Sequence, residues 1–353
     1  MSQKYDLTLD ELITTLTIKG RGPKIDVYDM FSEYVSYILQ RKGKESVSPL
    51  TLKIRVSTAR NYLETFDVEI SARKFQFKVK MPRVVRAHKE ALTKTDIQYI
   101  LNACSDIKLK TYVLLLAATG CRASEALSIR SRDINFETNP NPNSNSNPAT
   151  AFIRGEYTKT KTDRTIMLTD ELVQQLKLWL DYKQRTRSIG HYDKDNRKTY
   201  HEERTPILDK DMLIFSEKRA HSTKTPEEDT INGLYNTMLE KFEQLLDRLG
   251  DKYAEFEPTK KRRKITYHSI RRMVKSVISD LGLEQYSEIY IGHHSKSTYY
   301  RISRADEIKL FRKVEPYLTY MDTHSLEVKQ QDLTTQIESI QNENRELRKT
   351  FTG

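Results

Sequence analysis

Apolar residues recur at Val27, Phe31, Tyr34, Val35 and Ile38 in IDVYDMFSEYVSYILQ, close to the 3.6-residue period of an amphipathic helix. Ser48-Pro49 predicts the start of a second helix, because serine caps a helix and proline suits its first turn. The next stretch, FQFKVKMPRVVR (75–86), alternates apolar and basic residues and breaks at Pro82, which reads as an extended basic linker. In LTKTDIQYILNAC, Thr93 followed by Asp96 is a relative of the Ser/Thr-x-x-Glu capping box. Ile97, Ile100, Leu101 and Cys104 then fall on one face, so a larger, mainly helical region begins near residue 92.

That region is interrupted by ETNPNPNSNSNPAT (137–150), whose Asn, Pro and Ser favour turns and solvent. AFIRGEYTKTKTDRTIMLT follows, with two β-prone ends around a polar turn, which predicts a hairpin. A charged, insert-like stretch covers roughly 185–212, and helix returns in TINGLYNTMLEKFEQLLDRLG, ending on Gly250. In the tail, Leu326, Leu333, Ile340 and Leu347 are spaced by sevens, with Gln330, Ile337 and Asn344 at the alternate heptad position. This is a short coiled-coil pattern, and an Asn at such a position can specify register. It predicts self-association through residues 323–353, against the plainer reading of a helix docked on its own domain. The expected class is mainly α with a small β-sheet or hairpin (α+β).

Composition narrows the possible partners. The 353 residues carry 60 Lys and Arg against 49 Asp and Glu, a net charge of +11. An excess of that size favours a polyanion, through attraction to phosphates and release of their counterions. The 11 Phe, 20 Tyr and one Trp exclude a disordered polymer. Cys104 and Cys121 are the only cysteines, giving neither a disulfide framework nor a zinc cluster and pointing to a reducing cytoplasm. The N-terminal stretch has no secretory signal pattern, and no apolar run is long enough to span a membrane.

Four segments carry residues suited to phosphate chemistry. In AATGCRASEALSIR, Gly120 breaks a helix and Arg122 begins another, placing a guanidinium at a helix N-terminus where anions are favoured. Glu125 can tether that Arg or cap the helix. ITYHSIRRM puts His268 and Arg271 at i and i+3, on one helix face. The upstream KKRRK (260–264) reads as a solvated or DNA-backbone face. The hairpin turn offers Lys159 and Lys161, either of which can reach into a groove and protonate a leaving oxygen. Finally, IGHHSKSTYYRIS (291–303) crowds two histidines and two tyrosines. A phenol becomes a useful nucleophile only when charges and a base assist it.

The ordered set of Arg, hairpin Lys, His-x-x-Arg, Gly-His and Tyr resembles the tyrosine recombinase (integrase) family over roughly 92–322, and in particular its archaeal-type integrases. TGCRASEAL resembles the first-arginine motif, giving Arg122 with Glu125 as companion. YHSIRR resembles His-x-x-Arg, giving His268 and Arg271. IGHHS resembles Leu-Gly-His, giving His293 and leaving His294 a bystander. Lys159, ahead of Lys161, is the implied hairpin lysine. Tyr299 and Tyr300 stand six and seven residues after His293, closer than the family's common spacing. Archaeal-type members have such shortened Tyr-Tyr-Arg-like endings, which implies Tyr299 as nucleophile and Tyr300 as fallback. Tyr267 and Arg272 also depart from the family's common Pro and His.

The resemblance implies the following organisation: an N-terminal tail (1–24), a helical core DNA-binding domain (25–81), a linker (82–91), a catalytic domain (92–322) and a C-terminal amphipathic helix (323–353). It implies cutting and rejoining of double-stranded DNA at specific sites through a 3′-phosphotyrosyl link, with no metal and no other cofactor. The partners would be DNA and further copies of the chain, as a tetramer on DNA in the host cytoplasm, serving a virus or mobile element. Two rival readings are a type IB topoisomerase and a DNA-binding relative without activity.

Overall fold

The computed structural model describes residues 6–17, 25–41, 47–84, 92–137, 147–193, 198–204, 210–216, 227–257, 263–293 and 302–321. The chain divides into two units, Met1–His88 and Lys89–Gly353. Among the described residues helix dominates both, and strands occur in the second alone, so the expected mainly α class with a small sheet holds.

The first unit contains α1 (Leu9–Thr17), α2 (Val27–Gln40), α3 (Pro49–Glu64) and α4 (Ala72–Lys78). Ser48 caps α3 as predicted, its hydroxyl accepting from the Thr51 N–H at 3.1 Å, with Pro49 in the first turn. Phe31, Val35, Leu52, Val56 and Leu63 form the core. Two expectations fail here. Residues 9–17 are not a tail but a helix whose Leu12 and Ile13 are buried in that core. The linker reading of 75–86 fails over its first residues, which belong to α4. Phe75 and Val79 satisfy the helical i, i+4 spacing as well as the strand alternation. Val79 is buried, and Phe75 meets Phe31 edge-on at 5.2 Å.

In the second unit α5 (Lys94–Ala103) opens on the predicted capping box. The Thr93 hydroxyl accepts from the Asp96 N–H at 3.1 Å, and Asp96 Oδ2 accepts from the Thr93 N–H at 3.0 Å. Burial alone would push Asp96 up, but the Lys252 ammonium and these Thr93 bonds hold it down at about 2. The central helix is α6 (Ile107–Thr119), apolar on every side and buried from Thr111 to Thr119, as a helix enclosed on all faces must be. The short α7 (Ala123–Leu127) follows. Three antiparallel strands come next in sheet order: β1 (Ile134–Asn135), β2 (Thr150–Ile153) and β3 (Arg164–Met167). The β2–β3 pair is the predicted hairpin, in register Ala151↔Ile166 and Ile153↔Arg164.

Beyond α8 (Asp170–Gln184), the charged stretch holds a two-stranded antiparallel ribbon, β4 (Arg187–Asp193) with β5 (Lys198–Arg204). The sequence reads there only as an insert, because it has too few apolar residues to mark a two-residue period. The helices α9 (Glu227–Arg248), α10 (Asp251–Ala254), α11 (Tyr267–Asp280), α12 (Glu284–Tyr290) and α13 (Arg304–Val314) complete the unit. Three phenols tie the end of α6 to its surroundings and to the start of α7. The hydroxyls of Tyr290, Tyr320 and Tyr112 donate to the carbonyls of Ala118, Ala117 and Ala123 at 2.6, 3.1 and 3.1 Å. No helix among the described residues is long and apolar enough to cross a membrane. The heptad tail from Leu326 to Leu347 lies outside the described residues.

Candidate active site

The site begins where α6 ends. Gly120 sits in the left-handed region at φ +61°, and a Cβ there would stand 2.9 Å from Ile291 Cγ2 and 3.1 Å from Val274 Cγ1. A glycine therefore turns the chain and lets α11 and the end of α12 close on it. Two residues later Arg122 is the N-cap of α7. Glu125, wholly buried, performs both predicted roles. Its Oε1 accepts from Arg122 Nη1 at 2.6 Å, and its Oε2 accepts from the Arg122 N–H at 3.0 Å.

Helix α11 supplies His268 and Arg271 one turn apart, near its N-terminal end. His268 is exposed and Arg271 is 4% exposed. Arg271 Nη1 donates to the Gly120 carbonyl at 2.6 Å, whereas its buried Nη2 has no hydrogen-bond partner among the described residues. Burial first, then the neighbouring Arg122 charge, pushes the Arg271 guanidinium down to about 10. Arg122, His268 and Arg271 line one cavity of about 410 Å³. Three arginines stand at its wall, Arg122, Arg263 and Arg271, against one carboxylate, Glu243; with an unsatisfied buried donor on Arg271, they form an environment that an anion would relieve. Tyr267 also lines it but is unsuited to attack. Its hydroxyl donates to the Met238 carbonyl at 2.6 Å, and burial pushes its phenol far up.

His293 follows Gly292 at the end of α12. It is exposed, and its Nδ1 lies 2.6 Å from Glu288 Oε2. A carboxylate only accepts, so Nδ1 carries the proton in this contact. Lys275, whose Nζ is 2.5 Å from Glu288 Oε1, is the main cause holding that carboxyl below its ordinary range. His293 is not among the residues lining the cavity. Lys159 is exposed in the β2–β3 connection. Lys161 has φ +53° and its ammonium donates to the Glu156 carbonyl at 2.9 Å, within its own hairpin. Tyr299, Tyr300 and His294 lie outside the described residues.

Two residues read differently in the structure. Arg263, within KKRRK, does not present a solvated face. It is paired with Asp247 at 2.8 Å and stacks over Phe256 at 4.8 Å. Arg164, unremarked in the sequence, reaches from β3 to Glu125 Oε2 at 2.7 Å and to the Ile291 carbonyl at 3.1 Å. Only its place at the start of a predicted strand was legible, because its partners are 39 and 127 residues away.

The chain is similar to tyrosine recombinase XerA of Saccharolobus solfataricus, 28% identical over 160 residues that cover 43% of this chain and 48% of that one. Tyrosine recombinase XerA of Pyrococcus horikoshii is 24% identical over 146 residues, 36% of this chain and 48% of that one. The chain spans about half the length of these curated relatives. Among solved structures, XerH site-specific recombinase bound to its difH substrate aligns with a TM-score of 0.46 and 15% identity, over 86% of this chain and 70% of that one. Residues 90–301 match the model of the phage integrase family; this is more than half of the chain and takes in Arg122, His268, Arg271 and His293, so the chain belongs to the phage integrase family.

Proposed function

We infer that the protein is a site-specific DNA recombinase that breaks and rejoins double-stranded DNA through a 3′-phosphotyrosyl intermediate, integrating or excising a viral or mobile element. The observation that carries this reading is the pairing of Arg122 and Arg271 on one cavity with His268, where Arg271 Nη2 is buried without a partner. A phosphodiester supplies what the cavity lacks: two non-bridging oxygens that accept from both guanidiniums.

In the forward step the Tyr299 oxygen attacks phosphorus and His268 takes the phenol proton. A phosphorus–phenol oxygen bond forms as the bond to the 5′ oxygen breaks, and Lys159 gives the departing oxygen a proton. Arg122 and Arg271 gain most as negative charge builds on the non-bridging oxygens, and His293, with both ring nitrogens protonated, would donate to the same phosphate from Nε2 while Nδ1 keeps Glu288. Religation reverses each transfer, so bond energy is conserved and no nucleotide is consumed. Lys159 is favoured over Lys161 because the latter's ammonium is engaged within its hairpin. Residues 25–81 would serve as a core DNA-binding domain, 82–91 would link it to the catalytic domain, and copies of the chain would assemble as a tetramer.

Covalent trapping tests the reading. The protein is incubated with nicked duplexes of randomised core sequence, so that a cleaved strand loses its short 5′-hydroxyl end and cannot be resealed. The expected result is a denaturant-stable protein–DNA adduct whose recovered DNA converges on one site. Absence of any adduct across the pool overturns the proposal.

A further inference from the structure

We propose that Arg164 is a positioning residue, which fixes Arg122 and the Gly292-His293 turn relative to one phosphate; this role rests on the recombinase reading above. Four parts of the site meet at its guanidinium. Arg164 begins β3, directly after the connection that carries Lys159 and Lys161. Its Nη2 donates to Glu125 Oε2 at 2.7 Å and lies 3.5 Å from Cys121 Sγ, while its Nη1 donates to the Ile291 carbonyl at 3.1 Å.

The division of Glu125 is the first half of the argument. Oε1 takes Arg122 Nη1, whereas Oε2 takes both the Arg122 N–H and Arg164 Nη2. One buried carboxylate thus faces two guanidiniums and neutralises the charge of only one. With Oε2 occupied by Arg164, Arg122 meets Glu125 through a single terminal nitrogen. Remove Arg164, and both carboxylate oxygens open to the fork of Arg122, the two-point geometry that guanidinium and carboxylate prefer. Arg122 would then turn toward Glu125 and away from the phosphate.

The contact with Gly292 is the second half. A Cβ at Gly292 would fall 1.3 Å from Arg164 Nη1, and Gly292 has φ +73°. The guanidinium therefore packs directly on the backbone that leads into His293, and it is anchored there by the Ile291 carbonyl. Arg164 sets the distance between that turn and Glu125 through two terminal nitrogens held apart in a rigid plane, a span that the single ammonium of a lysine reproduces only in part.

A residue that acts through Arg122 differs measurably from one that only supports the fold. The test uses the nicked duplex recovered by covalent trapping, in two forms: with an ordinary scissile phosphate, and with a methylphosphonate there. The methylphosphonate lacks one anionic oxygen and so asks less of Arg122. Single-turnover adduct formation, duplex affinity and Tm are measured for the wild type, Arg164→Met and Arg164→Lys.

Arg164→Met is expected to slow adduct formation on the ordinary phosphate about 10²-fold, the usual consequence of displacing a catalytic group by about an ångström. On the methylphosphonate the loss is expected to shrink to about a tenth of that, because one charge-stabilising contact has become dispensable. Duplex affinity and Tm stay near the wild type. Arg164→Lys gives a smaller loss with the same pattern and replaces the Met variant if that protein does not fold. Equal losses on both substrates, or no loss on either, would overturn the role. Failure of the recombinase reading is seen separately, as a wild type that forms no adduct on either substrate, and it removes the role of Arg164 with it.

Discussion

Arg271 shows how a single residue can be costly to the fold and useful to the site. Its guanidinium is buried beside Arg122, with one terminal nitrogen on the Gly120 carbonyl and the other without a partner among the described residues. A buried cation held in that way destabilises the empty protein, and an anion reverses the penalty. Arg271→Met is therefore expected to slow adduct formation by about 10²–10³, the loss typical of one transition-state donor, while the Tm of the DNA-free protein is not lowered. Sulfate, measured against chloride at equal ionic strength, is expected to raise the Tm of the wild type more than that of the variant, as ligand linkage requires. An equal response in both proteins would contradict the anion site. At this scale short motifs foretold local geometry: Arg122 stands at a helix start, Glu125 bonds back to it, and His268 and Arg271 share one helix and one cavity. It was silent on Arg164, since no local pattern links residues 39 and 127 positions apart. It misled on Arg263, where a run of like charges conceals one side chain turned inward onto Asp247 and Phe256.

Elements carry the site through their ends. The α6 terminus turns at Gly120, α7 starts on Arg122, α11 presents His268 and Arg271 in its first turns, and α12 stops at the residues leading into His293. Capping boxes and apolar periodicity made α2, α3 and α5 readable in advance. The short α4 was not, because seven residues satisfy both helical and strand spacing, and the β4–β5 ribbon has too little apolar content to declare itself. A further element end is closed by Glu171, in the first turn of α8. Its buried carboxylate accepts from the Tyr320 N–H at 2.9 Å and from the Met321 N–H, and burial pushes it up to about 7. A carboxyl raised above its ordinary value in the folded state gives stability that is full below that value and is lost as pH rises through about 7. Wild-type stability relative to Glu171→Gln is thus expected to fall between about pH 4.5 and 7.5, by on the order of 3 kcal/mol. Denaturant midpoints across that range measure it, and parallel pH curves for the two proteins would refute it.

For the whole molecule, the net charge of +11 and membership of the phage integrase family both support the proposal of DNA as partner; the proposed tetramer follows from the recombinase reading, and the heptad pattern of the tail supports self-association. Ending the chain before residue 324 is expected to weaken pairing of two DNA sites more than cleavage at one site; equal loss of both would remove that role for the tail. The family and the class of fold were legible from the chain. The helix α1 was equally legible and was passed over: Leu9, Leu12, Ile13 and Leu16 keep the i, i+3, i+4, i+7 spacing of a helix face behind Thr8-x-x-Glu11, and the last three of them pack on the core of their unit. The central claim is that a normally unreactive phenol, assisted by Arg122, His268 and Arg271, becomes covalently joined to a DNA 3′ phosphate. Tryptic mapping of the trapped adduct tests it most directly, since cleavage after Lys296 and Arg301 yields the peptide Ser297–Arg301 with both candidate tyrosines. The account predicts a phosphonucleotide on that peptide, with fragmentation placing it on Tyr299. A phosphonucleotide on a tyrosine elsewhere in the chain, or on a residue that is not tyrosine, would contradict it.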